Sequence, residues 1–176
     1  ALLAIANNAE GGLRDAISLL DQTISFSQEI ITEDVVHSVS GSVSSKALQS
    51  LLLSISAKET TKAMGILKDL LAEGKEITRI VNDLILALRD VLLNQAMPKE
   101  QFKYQELQHT LNTDKIYVYL EVLNQLQNDM KWTHQKRAYV ELALIKMIDH
   151  QTIRNIDYGM MIQDLKQTIE TLKDQI

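Results

Sequence analysis

The side chain with the plainest chemical potential in this 176-residue chain is Arg14, which follows Gly11-Gly12 at the start of an amphipathic run. A guanidinium there is permanently charged and offers a planar fork of donors, a shape that suits a polyphosphate or a carboxylate. Spacing alone leaves two uses open: reaching out to a phosphate group, or pairing with Glu10 or Asp15 as surface arginines commonly do. Asp15 and Asp21 read as helix-capping and interhelix partners rather than as acids or bases, because a carboxylate near a helix N-terminus is held there by the helix dipole. The four histidines, His37, His109, His134 and His150, show neither HxxxH nor HExxH spacing. No cysteine is present, so a thiolate metal site and a disulfide framework are both excluded. The glycines form neither GxGxxG nor a GxxxxGK(S/T) loop, and the sequence therefore holds no cradle for phosphates. Trp132, between Lys131 and His134, has the face to stack on a base. A single aromatic without a basic groove reads instead as a residue packed at a helix end.

The elements that must position these groups are helices. One proline and six glycines in a chain that is 45% hydrophobic describe long helices around a buried core, with strands few or absent. A formal charge of −5 disfavours a generic nucleic-acid surface, since nonspecific affinity comes from lysines and arginines neutralising phosphates. No apolar run reaches the roughly 18 to 20 residues of a membrane span. The chain opens inside a helical pattern without Met, which reads as a piece of something longer, and the cytoplasm is the expected compartment.

Helices are expected over 1–10, closed by Gly11-Gly12, and over 13–26, where Leu13, Ala16, Ile17, Leu20 and Ile24 give a single buried stripe. Thr32 should cap a third helix that ends near Gly41. The stretch from Ser38 to Ser45 reads as a linker and a domain boundary, because serine and glycine disfavour helix interiors. Further helices follow over 45–56, 59–73 and 76–97, closed by Gly74 and by Met97-Pro98, the last of them apolar nearly all round and therefore central. A short helix within 99–112 holds Phe102, Tyr104 and Leu107. Two more run over 113–130, capped by Asn112 or Thr113, and over 135–149, with an Arg137–Glu141 pair one turn apart. After a polar break over 150–157, Tyr158, Ile162, Leu165, Ile169, Leu172 and Ile176 form a heptad-like seam. That seam fits either self-association or a helix packed on its own domain.

The run Ala9-Glu10-Gly11-Gly12-Leu13-Arg14-Asp15-Ala16-Ile17-Ser18-Leu19-Leu20-Asp21-Gln22 closely resembles the sensor 2 segment of the gamma/tau clamp-loader subunits of bacterial DNA polymerase III, which are AAA+ ATPases. Gly41-Ser42-Val43, Leu71 to Glu76, Asp83-Leu84, Leu88-Arg89-Asp90 and the set Arg137, Glu141, Leu144 and Lys146 are similar to that family's collar domain. Lys136 stands where the family often has proline. The resemblance implies an all-α fold: the end of the AAA+ lid over 1–41, a collar bundle of about five helices over 42–149, and a C-terminal helix or linker start over 150–176.

In the family Arg14 would contact ATP bound to its own subunit, supported by Gly11, Gly12, Asp15 and Asp21. ATP and Mg belong to the parent protein, with no cofactor and no catalysis in this piece. The implied partners are other gamma/tau copies and the delta and delta-prime subunits, met through the collar by surplus apolar residues on 76–97 and 113–130. The sliding clamp and primed DNA would be engaged through the whole complex. A different class of protein, a free-standing helical adaptor, would share the helices but make the sensor-like segment a coincidence.

Overall fold

Nine helices and no strand occur among the residues that the computed structural model describes: 1–9, 11–27, 30–98 and 102–153, with side chains to 149. They are α1 (Leu2–Asn8), α2 (Leu13–Phe26), α3 (Glu33–Ser40), α4 (Ser45–Ser56), α5 (Thr60–Ala72), α6 (Ile77–Ala96), α7 (Gln105–Thr110), α8 (Thr113–Asp129) and α9 (Lys136–Ile153). The all-α class is as the composition implied. α9 runs on to Ile153, through the start of the expected polar break, and the heptad-like seam lies outside the described residues.

Local chemistry explains the helix ends. Thr32 Oγ1 accepts from the Val35 N–H at 3.3 Å, and Asn112 Oδ1 from the Lys115 N–H at 2.9 Å, so both caps lie where the sequence put them. Two more caps carried no advance signal: Ser44 receives the Ala47 N–H, and Glu76 receives the Arg79 N–H at 2.8 Å. Burial pushes the Glu76 carboxyl up, but hydrogen bonds from Thr78 and Arg79 and the charge of Lys136 outweigh it, leaving Glu76 below the ordinary value. Gly41 closes α3 at φ +69°, the left-handed region that a side chain resists.

The helices bury two separate apolar clusters. Ala4, Ile5 and Val36, flanked by Ala16, Leu19, Leu20 and Ile31, hold α1, α2 and α3 together. A far larger cluster joins α4 to α9, with Leu84, Leu88 and Val91 of α6 fully buried beside Leu51, Leu52, Tyr119, Leu123 and Leu144. α6 packs on α4, α7, α8 and α9, which fits its expected central place. The five long helices expected there are joined by α7, which is anchored by buried Tyr104 and Leu107.

Two sequence expectations give way. The stripe on α2 is only partly covered: Ala16 and Leu20 pack against the small cluster, but Leu13 is 75% exposed and Ile17 and Ile24 are each about half exposed, because α1 and α3 cover the Leu19, Leu20 and Thr23 side of the helix. The periodicity specified a helix but not what covers its face. The serine-rich stretch is also no free linker. Ser38 and Ser40 lie inside α3 and Ser45 inside α4, while Ser42 and Val43 are buried. A serine hydroxyl here serves a backbone group that has left the helix: the Ser42 N–H donates to Ser40 Oγ at 3.3 Å, and the Ser40 and Ser42 hydroxyls bond to each other at 2.7 Å.

Candidate functional site

Two places bring chemistry-bearing residues together. The first is the N-terminal turn of α2. Gly11, at φ +87°, reverses the chain, and Gly12 is the N-cap of α2, its N–H bonded to the Ala9 carbonyl at 2.7 Å. A Cβ on Gly12 would lie 2.5 Å from Asp15 Oδ2 and 3.2 Å from the Ala9 carbonyl oxygen, so glycine lets the Asp15 carboxylate fold back over the helix start. Arg14 therefore does not pair with Asp15. Its side chain is exposed and takes part in no ion pair among the described residues, which leaves its donor fork available to an outside anion. Asp21 lies two turns along the same helix, exposed, beside a shallow cleft with Gln22, Ser25 and Phe26 of α2 and Ser38 and Val39 of α3. Arg14 and Asp21 thus share a helix without meeting in one pocket.

The donor set is partial as a nucleotide site. An exposed arginine on a helix N-terminal turn suits a phosphate, while no group of three or more His, Cys, Asp or Glu able to hold a metal occurs among the described residues. The histidines lie apart. His37 Nδ1 shares a hydrogen with Ser42 Oγ at 2.6 Å, which makes His37 part of a joint and not of a metal site.

That joint is the second place, and no residue spacing announces how its members meet. Among the described residues no helix pair packs broadly across the two apolar clusters; polar side chains make the connection instead. Asp83 of α6 is buried and accepts the Val43 N–H at 2.8 Å. Arg79 Nε lies 3.3 Å from Asp83 Oδ1, an ionic contact without the alignment of a hydrogen bond, while Arg79 Nη2 donates to Asn8 Oδ1 on α1. Lys75 Nζ donates to the His37 carbonyl at 2.8 Å, tying the end of α5 to α3. Burial pushes the Asp83 carboxyl above the ordinary value, against the pull of the Val43 N–H and the nearby Arg79, His37 and Lys75. A cavity of about 360 Å³ adjoins the joint, walled by Asn8, His37, Arg79 and Asp83, and by Lys103 and Tyr104 on the α7 side.

The surface holds the remaining signals. Leu86 and Leu93 on α6, Met97 just past its end, Tyr117 on α8, and Tyr139, Leu142 and Ile145 on α9 are exposed, the first four within the spans expected to carry surplus apolar groups. The reading of Trp132 as a packed helix-end residue fails: it is 90% exposed on the turn between α8 and α9, because Met130 takes the buried place there. The Arg137–Glu141 pair forms as spaced, at 2.8 Å.

A small three-helix unit, whose Arg14 makes no ion pair among the described residues, is thus joined by polar contacts to a larger helical bundle. Residues 1–29 match the family described as DNA polymerase III clamp loader subunit, ATPase lid domain. Residues 31–160 match the family described as DNA polymerase III subunits gamma and tau domain III. The chain belongs to the gamma and tau subunit family of DNA polymerase III. It is 34% identical over 184 residues to DNA polymerase III subunit tau of Bacillus subtilis (strain 168), covering 96% of this chain and 33% of that relative. It is 23% identical to DNA polymerase III subunit tau of Escherichia coli (strain K12), over 84% of this chain and 24% of the relative. The identity is again 23% with DNA polymerase III subunit gamma of Buchnera aphidicola subsp. Baizongia pistaciae (strain Bp), over 86% and 44%. The chain thus spans less than half the length of each of these relatives. Membership leaves the free-standing adaptor without support. Among the described residues no helix is long and apolar enough to cross a membrane.

Proposed function

We propose that this chain is the part of a clamp-loader subunit that couples nucleotide state to subunit assembly. Residues 1–41 act as the end of the lid, residues 42–149 as the collar that joins neighbouring subunits, and residues 150–176 as a C-terminal helix or the start of a linker. The observation that carries the assembly role is a bundle whose core is already filled, yet which keeps Leu93, Met97, Tyr117, Leu142 and Ile145 on its surface. Exposed apolar faces on a bundle with a complete core mark contacts with other proteins.

Arg14 supports the lid role because its guanidinium points into solvent free of any ion pair among the described residues. In the full subunit it contacts the phosphates of ATP, with Gly11, Gly12 and Asp15 fixing the turn that presents it and Asp21 supporting the same helix. This piece carries out no catalysis; ATP and Mg are bound by the rest of the subunit. Its partners are further gamma/tau copies and the delta and delta-prime subunits, in a cytoplasmic complex that loads the sliding clamp on primed DNA.

Two measurements test the two halves. Light scattering of this chain mixed with the other subunits should give a mass above that of any component, and failure to co-assemble would remove the collar role. In the full-length subunit, Arg14→Ala should weaken ATP turnover roughly tenfold or more, the loss expected when one charged donor to a phosphate is removed. Unchanged nucleotide binding and turnover would remove the lid role.

A further inference from the structure

α9 is apolar on two sides. Val140, Leu144 and Met147 face the core and are fully buried, while Tyr139, Leu142 and Ile145 stand on the outside, Leu142 56% exposed. On that outer side α8 and α9 leave a groove of about 350 Å³, floored by Leu126 and Ala143, walled by Tyr139 and Leu142, and rimmed on α8 by Glu121 and Asp129. Neither carboxylate takes part in an ion pair among the described residues, and Asp129 accepts at 2.9 Å from the neutral amide of Gln125. The groove is thus an apolar trough with two uncompensated negative charges along one edge.

The chain carries an occupant of matching pattern. Tyr158, Ile162, Leu165, Ile169, Leu172 and Ile176 recur at alternating intervals of four and three, the spacing of one apolar seam along a helix. We infer that residues 158–176, which lie outside the described residues, seat this seam in the α8–α9 groove of their own chain, antiparallel to α9. Four residues, Arg154-Asn155-Ile156-Asp157, separate the end of α9 from the seam, and so short a connection sets the next helix antiparallel beside the last. Lengths agree: residues 158–176 span about 28 Å as a helix, and the 18 residues of α9 about 27 Å. A return centred on the connection puts Ile169 level with Leu142 and Leu172 level with Tyr139. Lys166 and Lys173 each follow a seam residue by one position, so both flank the seam on the same side. In a right-handed helix running antiparallel to α9 that flank faces α8, where Lys166 comes level with Glu121 and Lys173 with Asp129. Opposite signs beside an apolar contact select its register. The short tether makes the contact intramolecular, which favours it over the same contact between copies. Going beyond the assembly reading, this gives Leu142 to the chain itself and leaves Leu93, Met97 and Tyr117 to neighbouring subunits.

The chain lacks cysteine, so an engineered pair reports on itself alone. Leu142→Cys with Ile169→Cys, oxidised at micromolar concentration, should form a disulfide within one chain, read by mass spectrometry as a monomer that has lost both thiols. Leu93→Cys with Ile169→Cys should keep both thiols free. Adding Glu121→Lys and Asp129→Lys to the first pair should cut the intrachain yield severalfold, and adding Lys166→Glu and Lys173→Glu to that variant should restore it. This charge exchange separates a lost contact from a lost fold, because a variant that recovers its link has kept its bundle. Free thiols in the first pair, equal yields from both pairs, or links only between copies would overturn the seating. Each of those results leaves the assembly role standing, since that role fails on a different observation, a wild type that joins no other subunit.

Discussion

Asp83 shows what one side chain does when it must satisfy two demands at once. It is buried, yet it serves the Val43 N–H at 2.8 Å and faces Arg79, so it holds the serine-rich connection against α6. Asp83→Ala would strand a buried N–H, and should lower unfolding stability in urea by about 2 kcal/mol. The loss of charge adds little beyond that, because the Arg79 side chain is 33% exposed and water can reach it. Asp83→Asn separates charge from hydrogen bonding, since the amide oxygen can still accept from Val43. The folded carboxyl binds its proton more readily than the unfolded one, whose value is 3.8, so this group's contribution to stability increases as pH falls through the raised folded value toward 3.8. Above that window its ionised form is penalised in the fold. Denaturation curves across the acid range should therefore show Asp83→Asn gaining relative to wild type at neutral pH, with the gain fading toward pH 3.8. A constant difference at all pH values would mean that burial does not govern this carboxyl.

Helix ends make the same argument at the level of elements, because two chain reversals use the left-handed region with opposite residue choices. Gly41 ends α3 at φ +69°, and nothing lies within 4 Å of where its Cβ would be, so Gly41→Ala meets conformational strain alone. It should cost about 1 kcal/mol in thermal or urea unfolding. Lys58 follows α4 at φ +61°, and Lys58→Gly should shift stability the other way by a smaller amount, since glycine also loosens the unfolded chain. Such ends were largely legible in the sequence: Thr32, Asn112, Gly74 and Pro98 mark boundaries through local chemistry, and most helices begin and end within a residue or two of expectation. What a helix face meets was not legible. Leu13, Ile17 and Ile24 recur like a core stripe yet are exposed, and Ser42-Val43 reads as linker yet is buried beneath Asp83. The joint between Arg79 and Asn8 spans 71 positions, and a pairing of two polar side chains at that distance leaves no period to detect. Arg14 was legible as a type and a position, whereas its lack of an ion pair with Asp15 depended on Gly12 admitting that carboxylate over the helix start.

At the scale of the whole molecule, the two apolar clusters are very unequal. α1, α2 and α3 share little more than Ala4, Ile5 and Val36, whereas α4 to α9 enclose a core that buries Leu84, Leu88, Tyr119 and Leu144 completely. Local opening becomes easier where few apolar contacts hold a segment, so the small unit should open without the bundle unfolding. Polar contacts restrain it: Asn8 with Arg79 and the His37 carbonyl with Lys75, while the bond of Val43 to Asp83 fixes the chain where it enters the bundle. Hydrogen exchange read by mass spectrometry should show amides in α1, α2 and α3 exchanging well before those at the centres of α6 and α8. Asn8→Ala removes one restraint, and also the Asn8 bond to the Ala4 carbonyl within α1. A net hydrogen bond contributes about 1 kcal/mol, so exchange in α1 to α3 should quicken roughly fivefold while α6 and α8 stay unchanged. Equal acceleration in both groups would mean that the chain opens as one cooperative unit, and that the joint transmits strain rather than permitting independent motion. Separate opening would leave Arg14 on the more mobile side of the joint and the large apolar core on the more rigid one.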